Sequence, residues 1–456
     1  MYSVHMRTMK YIYLIAAIWC GATLTSHAQQ SPRDSVYHFT LQDCVNYAYQ
    51  HQHDVTNAAL DVQGANYHVK EIIGQGYPQV SGAAGFQDYF KIPTTLIPGE
   101  FFNEPGTFIP LKFGVTYQSN LTLNASQIIF DPSYIVGLQG SKTYKQLYER
   151  SYTRTKIDAN VNVTKAYYQV LVSVESLRLL DSDITQLKKE VDETVARNKQ
   201  GFVEKVDVDR ITVQYNSLVT SYQNSRRSQA INYELLKFQM GMPIEAVLLL
   251  NDNLDNIKLD ANLADTSSDT SAYHNRIEYN LLETQKRLNE YDVKLKRGAY
   301  LPKLTANASY SASYQDNSFG NLYSTNYPSG YIGLTLNVPI FTGFQHKYQL
   351  KQSQINVLKS ENDMDNMRKT VNLQISEARV SYINGLQTLN DQKKNMALAE
   401  EVLRVSKIKY EQGVGSSLEV TQAQTALQDA DNTYIQGLYD ALVAKVQLEQ
   451  AYGRIK

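Results

Sequence analysis

Apolar residues recur at a helical spacing over unusually long stretches of the chain. Between Val170 and Val195 they return every three or four positions, which places them on one face of a helix. Patterns of this kind predict two long helical hairpins, at about 134–240 and about 344–452. At about 1.5 Å per residue, the first helix of each hairpin would be roughly 100 Å long. Ordinary globular domains do not use helices of that length.

Four other stretches alternate between apolar and polar residues, as half-buried strands do. From Leu304 to Tyr314, for example, leucine, alanine and tyrosine face serine, threonine and asparagine on the opposite side. Each stretch is about as long as a strand that crosses a bilayer. A segment with four prolines, 91–112, predicts a surface loop between the first two strands. The predicted strands cover about 79–90, 113–129, 303–315 and 331–341.

These elements occur twice in the same order, which indicates a duplicated unit. Each copy has a helix (40–76 or 274–299), a breaker containing proline, two strands and a long hairpin with a Gln-Gly turn. Gly201 marks the turn of the first copy and Gly413 that of the second. The predicted domains are a first repeat at 29–241, a linker or equatorial region at 242–273 and a second repeat at 274–453.

The first 28 residues predict a secretory signal peptide. Arg7 and Lys10 precede an apolar run, and Ser26-His27-Ala28 resembles a cleavage site. Cys20 raises the alternative of a lipoprotein, but Trp19 is a poor fit before a lipidated cysteine. The mature chain would then keep only Cys44, which we interpret as a small buried residue.

Composition and motifs argue against several classes of function. A formal net charge of −1 gives no electrostatic basis for binding nucleic acid. His51 and His53 are two positions apart and do not share a helix face, so we do not expect them to bind a metal. The chain carries none of the common catalytic, phosphate-binding or cofactor-binding motifs. We therefore expect neither an enzyme nor a cofactor.

The strands decide how the chain could meet a membrane. After the predicted signal peptide, no apolar stretch is long enough for a membrane-spanning helix, so entry would require strands. Four strands are too few to close a barrel, and a membrane tolerates no open sheet edge. Several copies would have to combine their strands, with about eight from a dimer or about twelve from a trimer. The 34 tyrosines suit membrane interfaces, although ordinary strand packing explains them equally well.

Taken together, the signal, the two strand pairs, the long hairpins and the Gln-Gly turns resemble the TolC-like outer-membrane efflux proteins. The resemblance covers about residues 39–453. It implies a mixed α and transmembrane β fold: a homotrimer with a 12-stranded β-barrel in outer-membrane lipid, continued by a periplasmic α-helical barrel. The implied function is the exit duct of a tripartite efflux or type I secretion system, which works with a periplasmic adaptor protein and an inner-membrane transporter.

The resemblance also implies roles for residues near the two turns. The adaptor contact at the periplasmic tip would be formed by Gly201, Phe202, Val203, Gly413, Val414 and Gly415. The tunnel constriction or gate would involve Asp207, Tyr410 and Glu419, with Asp207 pairing with Tyr410. Gln422 and Gly415 stand where some relatives carry an acid and a base, which argues against a tight, strongly cation-selective closure.

Two alternatives stay open from the sequence. Asp207 and Glu419 also suit the first turn of a helix, where acids favour the positive end of the helix dipole. The whole chain could instead be a secreted periplasmic coiled-coil scaffold or adaptor without a membrane barrel. The length and alternation of the four strands favour the duct, and the exported substrate, drug or protein, is left open.

Overall fold

A computed structural model describes residues 36–102, 105–254, 257, 259–260 and 272–455. The predicted signal peptide lies outside these residues. The helices are α1 (Leu41–His51), α2 (His53–Gln75), α3 (Pro132–Lys199), α4 (Lys205–Met240), α5 (Ile277–Gly298), α6 (Gln345–Glu411) and α7 (Ser417–Ala451). The strands are β1 (Val36–Phe39), β2 (Gln79–Asp88), β3 (Thr94–Pro98), β4 (Phe108–Lys112), β5 (Tyr117–Phe130), β6 (Val247–Leu250), β7 (Lys303–Asp316) and β8 (Asn326–Asn337).

Four long strands form one antiparallel sheet in the order β2-β5-β7-β8. Side chains of successive residues alternate between its two faces. Two rows of paired residues run across the apolar face. One row contains Gly82, Leu123 and Tyr310, and the other contains Ala308 and Ile332. Ile332 is 90% exposed, so this face is uncovered in the single chain.

The opposite face of the sheet is polar. On it the Thr122 and Ser311 hydroxyls hydrogen-bond at 3.0 Å, and Ser309 donates to Asn124 Oδ1 at 2.8 Å. Short polar side chains therefore bond to one another across neighbouring strands. The alternation of the sequence predicted this separation of faces.

Three details of the sheet region differ from the prediction. Strand β8 spans Asn326–Asn337 and not 331–341, so it begins five residues earlier and ends four residues earlier. The second long strand begins at Tyr117, not at residue 113. Gly114 has φ of 132°, a backbone conformation that favours glycine and does not occur in regular strands. The strand therefore does not extend back to residue 113. The segment 91–112 is not a plain loop, because β3 and β4 pair within it as an antiparallel hairpin.

The long helices form two hairpins, α3–α4 and α6–α7, named here the first and second hairpin. Helix α3 has 68 residues, so it extends about 100 Å. Its start is fixed by Asp131, whose carboxylate accepts from the Ser133 N–H at 2.8 Å, and by Pro132 in the first turn. Helix α5 packs against both α3 and α6, so it joins the two hairpins side by side.

The single helix predicted over 40–76 is two helices. Gln52 between α1 and α2 has an extended backbone, with φ −67° and ψ 130°. Its side-chain oxygen accepts from the Val55 N–H at 2.8 Å, so glutamine caps the second helix. Glutamine is not among the residues preferred at this position, which is why the pattern did not reveal the break.

The main core lies where the first hairpin meets the N-terminal helices, around Tyr167, Val170, Leu236 and Met240. The predicted linker contributes to it, because β6 pairs in parallel with β1. After β6, Asp252 accepts from the Tyr167 hydroxyl at 2.7 Å and from the Leu41 N–H at 2.9 Å. A partly buried hydrogen-bond network thus fixes the segment after β6 to α1 and α3.

Among the residues that the structure describes, no helix combines the length and the apolar character needed to span a membrane.

Candidate functional site: the hairpin tips

The two hairpin turns have matching backbone geometry. Gly201 has φ of 80° and Gly413 of 74°, a region that favours glycine. The Phe202 N–H donates to the Arg197 carbonyl and the Val414 N–H to the Lys409 carbonyl, each at 3.0 Å, so each turn satisfies the end of its helix. The Phe202 and Val414 side chains are both 79% exposed.

Exposed apolar side chains thus stand at both turns, the places where the sequence predicts an adaptor contact. Val203 is half-buried, and its carbonyl accepts from Asn198 Nδ2 at 2.7 Å. The Gly415 N–H donates to the Lys409 carbonyl at 3.0 Å, and a side chain at Gly415 would come within 2.9 Å of Lys409 Cβ. A side chain at Gly415 would therefore force the second turn to shift.

A polar cluster next to the turns joins the hairpins. The Ser417 hydroxyl on α7 donates a hydrogen bond to Asp207 Oδ1 on α4. Arg210 Nη1 donates to the same carboxylate oxygen at 3.0 Å and also contacts the Ser417 hydroxyl. One turn further along, Gln214 Nε2 donates to the Thr421 carbonyl at 3.0 Å. These contacts connect the return helices of the two hairpins.

Asp207 and Tyr410 come together in one cavity of about 250 Å³ between the hairpins. Burial, and then the negative charge of Asp207, raise the pKa of the Tyr410 phenol. The hydrogen bonds that the structure gives to the Asp207 carboxylate come from Ser417 and Arg210. The direct pairing of Asp207 with Tyr410 therefore stays a prediction.

A second inter-hairpin contact lies at the same cavity. The Lys407 ammonium on α6 forms an ion pair with the Glu190 carboxylate on α3, and both side chains are mostly buried, at 15% and 19% exposed. Burial raises the pKa of Glu190 although Lys407 opposes the shift. This pair links the outgoing helices, as the Asp207 cluster links the return helices.

Glu419 lies apart from the cavity, exposed in the first turn of α7. Its N–H donates to the Ser416 hydroxyl at 3.2 Å, so Ser416 caps the helix and Glu419 supplies an acid near its positive end. Gln422 is also exposed. Within one chain the structure brings Asp207 and Tyr410 together and leaves Glu419 exposed to solvent.

Sequence reasoning missed Ser417, Arg210, Gln214, Lys407 and Glu190. Arg210 stands three positions after Asp207, a spacing that favours an ion pair on one helix. The other contacts join helices that are distant in sequence. A single sequence contains no signal that identifies contacts between such distant helices.

Neither histidine of the His51-Gln52-His53 stretch joins a metal site. The His51 ring stacks on Tyr47 with ring centroids 4.0 Å apart, and its Nδ1 lies 3.0 Å from the Tyr47 carbonyl. Within the described part of the chain, no group of metal-binding side chains is large enough to hold an ion.

Comparisons with known proteins find similarity to outer-membrane efflux proteins. The family described as "Outer membrane efflux protein" matches residues 280–454. Outer membrane protein TolC of Vibrio cholerae is 22% identical over 340 residues, which cover 73% of this chain and 76% of that protein. The probable efflux pump outer membrane protein TtgC of Pseudomonas putida is 22% identical and covers 93% of this chain and 85% of that protein.

Solved structures share the fold. CusC, whose structures concern transmembrane channel formation, superposes with a TM-score of 0.72 at 15% identity, over 93% of this chain and 95% of that chain. The outer membrane protein VceC of Vibrio cholerae superposes with a TM-score of 0.69 at 15% identity, over 91% of this chain and 96% of that chain. The likeness therefore extends over nearly the whole length of both proteins.

Proposed function

We propose, from the premise that this chain belongs to the TolC-like outer-membrane efflux proteins, that it is the exit duct of a tripartite efflux or type I secretion system. It lies in the outer membrane and extends into the periplasm. Its task is passive. It gives a continuous path across the outer membrane to a substrate that a transporter in the inner membrane has already moved.

The single observation that carries this proposal is the incomplete sheet. Among the described residues, β2 pairs only with β5 and β8 pairs only with β7, so each edge strand has one unpaired side. One whole face of the same sheet is apolar and exposed, with Leu334 at 71% and Ile332 at 90%. Water disfavours the exposed apolar face, and lipid disfavours the open edges.

Three copies arranged around an axis would satisfy both requirements. The β2 edge of one copy would pair with the β8 edge of its neighbour, and twelve strands would close a barrel with no free edge. The apolar face would then contact lipid. The polar face, with the Thr122–Ser311 and Asn124–Ser309 contacts, would line a lumen filled with water.

The hairpins would continue the barrel as a tunnel into the periplasm. Their length of about 100 Å places the Gly201 and Gly413 turns far from the membrane. We propose that Gly201, Phe202, Val203, Gly413, Val414 and Gly415 contact the adaptor. The exposed Phe202 and Val414 side chains would supply apolar anchors for that contact.

The contacts beside the turns would hold the tunnel entrance closed. In this proposal the Asp207–Ser417 bond and the Lys407–Glu190 pair keep the hairpins together, and Tyr410 fills the space between them. Glu419, exposed on α7, would face the tunnel axis and set its charge. Separation of the hairpins breaks these contacts and widens the entrance.

The duplicated sequence fits the same assembly. We propose that residues 29–241 and 274–453 are two copies of one structural unit, joined by 242–273 at the equator of the tunnel. Each unit would contribute two strands to the barrel and one hairpin to the tunnel. A secreted coiled-coil scaffold, the alternative, gives no reason for a sheet with an exposed apolar face.

Fractionation of cells that express the full chain tests the proposal. The duct should partition with the outer membrane and, after detergent extraction, run as an oligomer of three chains that heat converts to monomers. Crosslinking at the hairpin tips should capture an adaptor protein, and Phe202→Ala should weaken that capture. A monomer recovered in the soluble periplasmic fraction would contradict the proposal and favour the scaffold.

A further inference from the structure

A buried aspartate, Asp183, and a half-buried one, Asp431, face each other between the hairpins, away from the turn cluster. The carboxyl groups of Asp183 on α3 and Asp431 on α7 lie within hydrogen-bonding reach of each other, and Asp183 is only 9% exposed. Both line a cavity of about 430 Å³ whose remaining wall is α6. The pair therefore joins the outgoing helix of the first hairpin to the return helix of the second.

The two cations in the wall of this cavity, Arg404 and Lys407, are bound to carboxylates other than Asp183 and Asp431. Helix α6 contributes Glu400, Arg404, Lys407 and Glu411 to the cavity wall. The Arg404 guanidinium holds Glu401 through two hydrogen bonds of 2.7 Å, and the Lys407 ammonium is paired with Glu190 on α3. Helix α7 contributes no charged residue besides Asp431. Lys407 acts on Asp183 only electrostatically, and Glu400 opposes it.

Two carboxylates cannot hydrogen-bond to each other unless one of them carries a proton. Burial, followed by the charges of Asp183 and Glu400, raises the pKa of Asp431 to about 7. Burial also raises the pKa of Asp183. The two groups titrate as a coupled pair, so the proton belongs to both.

We propose that Asp183 and Asp431 share one proton, and that this proton is a pH-sensitive tie between the two hairpins. With the proton present, a hydrogen bond joins α3 to α7. Without it, two negative charges repel each other across the same interface. If the chain has the proposed function, loss of the proton favours the open tunnel entrance. This consequence rests on the proposed function, whereas the shared proton does not.

The direction follows from the raised pKa. When the hairpins separate, both carboxyls meet water and return to an ordinary pKa of about 3.9. The hairpin contact is therefore fully stabilised below about pH 4 and loses this stabilisation as the pH rises to about 7. The open population should increase over this range and level off above it.

Infrared spectroscopy of the detergent-purified full chain tests the shared proton without reference to transport. A protonated-carboxyl carbonyl band should be present at about pH 6 and largely lost at about pH 8, since exposed acids are almost fully ionised at both. Asp431→Asn and Asp183→Asn should each reduce this band, whereas the contribution of Glu190, whose pKa burial also raises, should be the same in every variant. The matched controls Asp429→Asn and Asp181→Asn, exposed residues two positions away on the same helices, should keep it.

Conductance in planar bilayers tests the consequence. The wild-type open probability should rise between about pH 5 and about pH 8, whereas Asp431→Asn, an uncharged hydrogen-bonding substitute, should keep the low open probability at both. A band unaffected by either substitution, or an unchanged pH dependence in Asp431→Asn, would overturn the inference. A band that behaves as expected in a protein that forms no channels would instead contradict the proposed function alone. Asp183→Asn provides the same tests if Asp431→Asn fails to fold.

Discussion

The Asp207 carboxylate gives the sharpest test of the contacts at the hairpin tips. It is 21% exposed and accepts hydrogen bonds from Ser417, in the other hairpin, and from Arg210 on its own helix. Only the Ser417 bond joins the two hairpins. Asp207→Ala therefore removes one inter-hairpin hydrogen bond and leaves the rest of α4 in place.

The size of the effect follows from that bond. A hydrogen bond to a charged group contributes roughly 1.5–3 kcal/mol, and partial exposure reduces this to about 1 kcal/mol. Loss of about 1 kcal/mol increases the ratio of open to closed tips about fivefold in each protomer. Ser417→Ala removes this bond and also the Arg210–Ser417 contact, so its effect should be at least as large. The double variant should add little to Ser417→Ala, because both substitutions remove the Asp207–Ser417 bond.

Single-channel recording in planar bilayers measures this change. We expect a higher open probability or conductance in Asp207→Ala and in Ser417→Ala. Asp209→Ala is the matched control, because Asp209 is exposed two positions away on the same helix. Wild-type behaviour in Asp207→Ala, or an equal change in Asp209→Ala, would refute the role of this contact in holding the tip shut.

Three further predictions address the core, the thiol and the sheet. Tyr167→Phe should lower the free energy of unfolding by about 1–2 kcal/mol, measured by denaturant titration, because Asp252 loses its donor. Cys44 should resist maleimide in the folded protein and react after denaturation, because burial raises the pKa of its thiol to about 12. Leu334→Arg, on the apolar face, should cost about 2–4 kcal/mol and reduce the yield of heat-modifiable oligomer, whereas Thr335→Arg, on the polar face, should not.

The sheet and the long helices were predictable because their side chains repeat at fixed periods. The alternation around Leu123 and Tyr310 assigned both residues to the apolar face. In the structure the two residues pair directly across neighbouring strands, so they do lie on the same face. The 3.6-residue period identified α3 and α6 over nearly their whole length. The comparisons find similarity to the same family, with its model matching residues 280–454.

Other features depend on contacts that no local pattern records. The break at Gln52 results from a single side-chain cap, and β6 forms because β1 lies beside it. The resemblance assigned Asp207 to the gate, a role that stays a prediction, but its hydrogen-bond partner Ser417 lies in the other hairpin. The Asp183–Asp431 pair is likewise a product of packing between hairpins. The spacing of apolar residues in a sequence predicts helices and strands. The packing of those helices and strands determines which side chains contact each other.

The central claim is that three copies of the chain combine their four-stranded sheets into one closed barrel. Electron cryomicroscopy of the detergent-purified full chain tests it most directly. We expect a particle with threefold symmetry in which β2 of each copy pairs with β8 of its neighbour, above a tunnel of long helices. A particle of different symmetry, or a single copy whose sheet edges stay unpaired or are covered by its own chain, would contradict it.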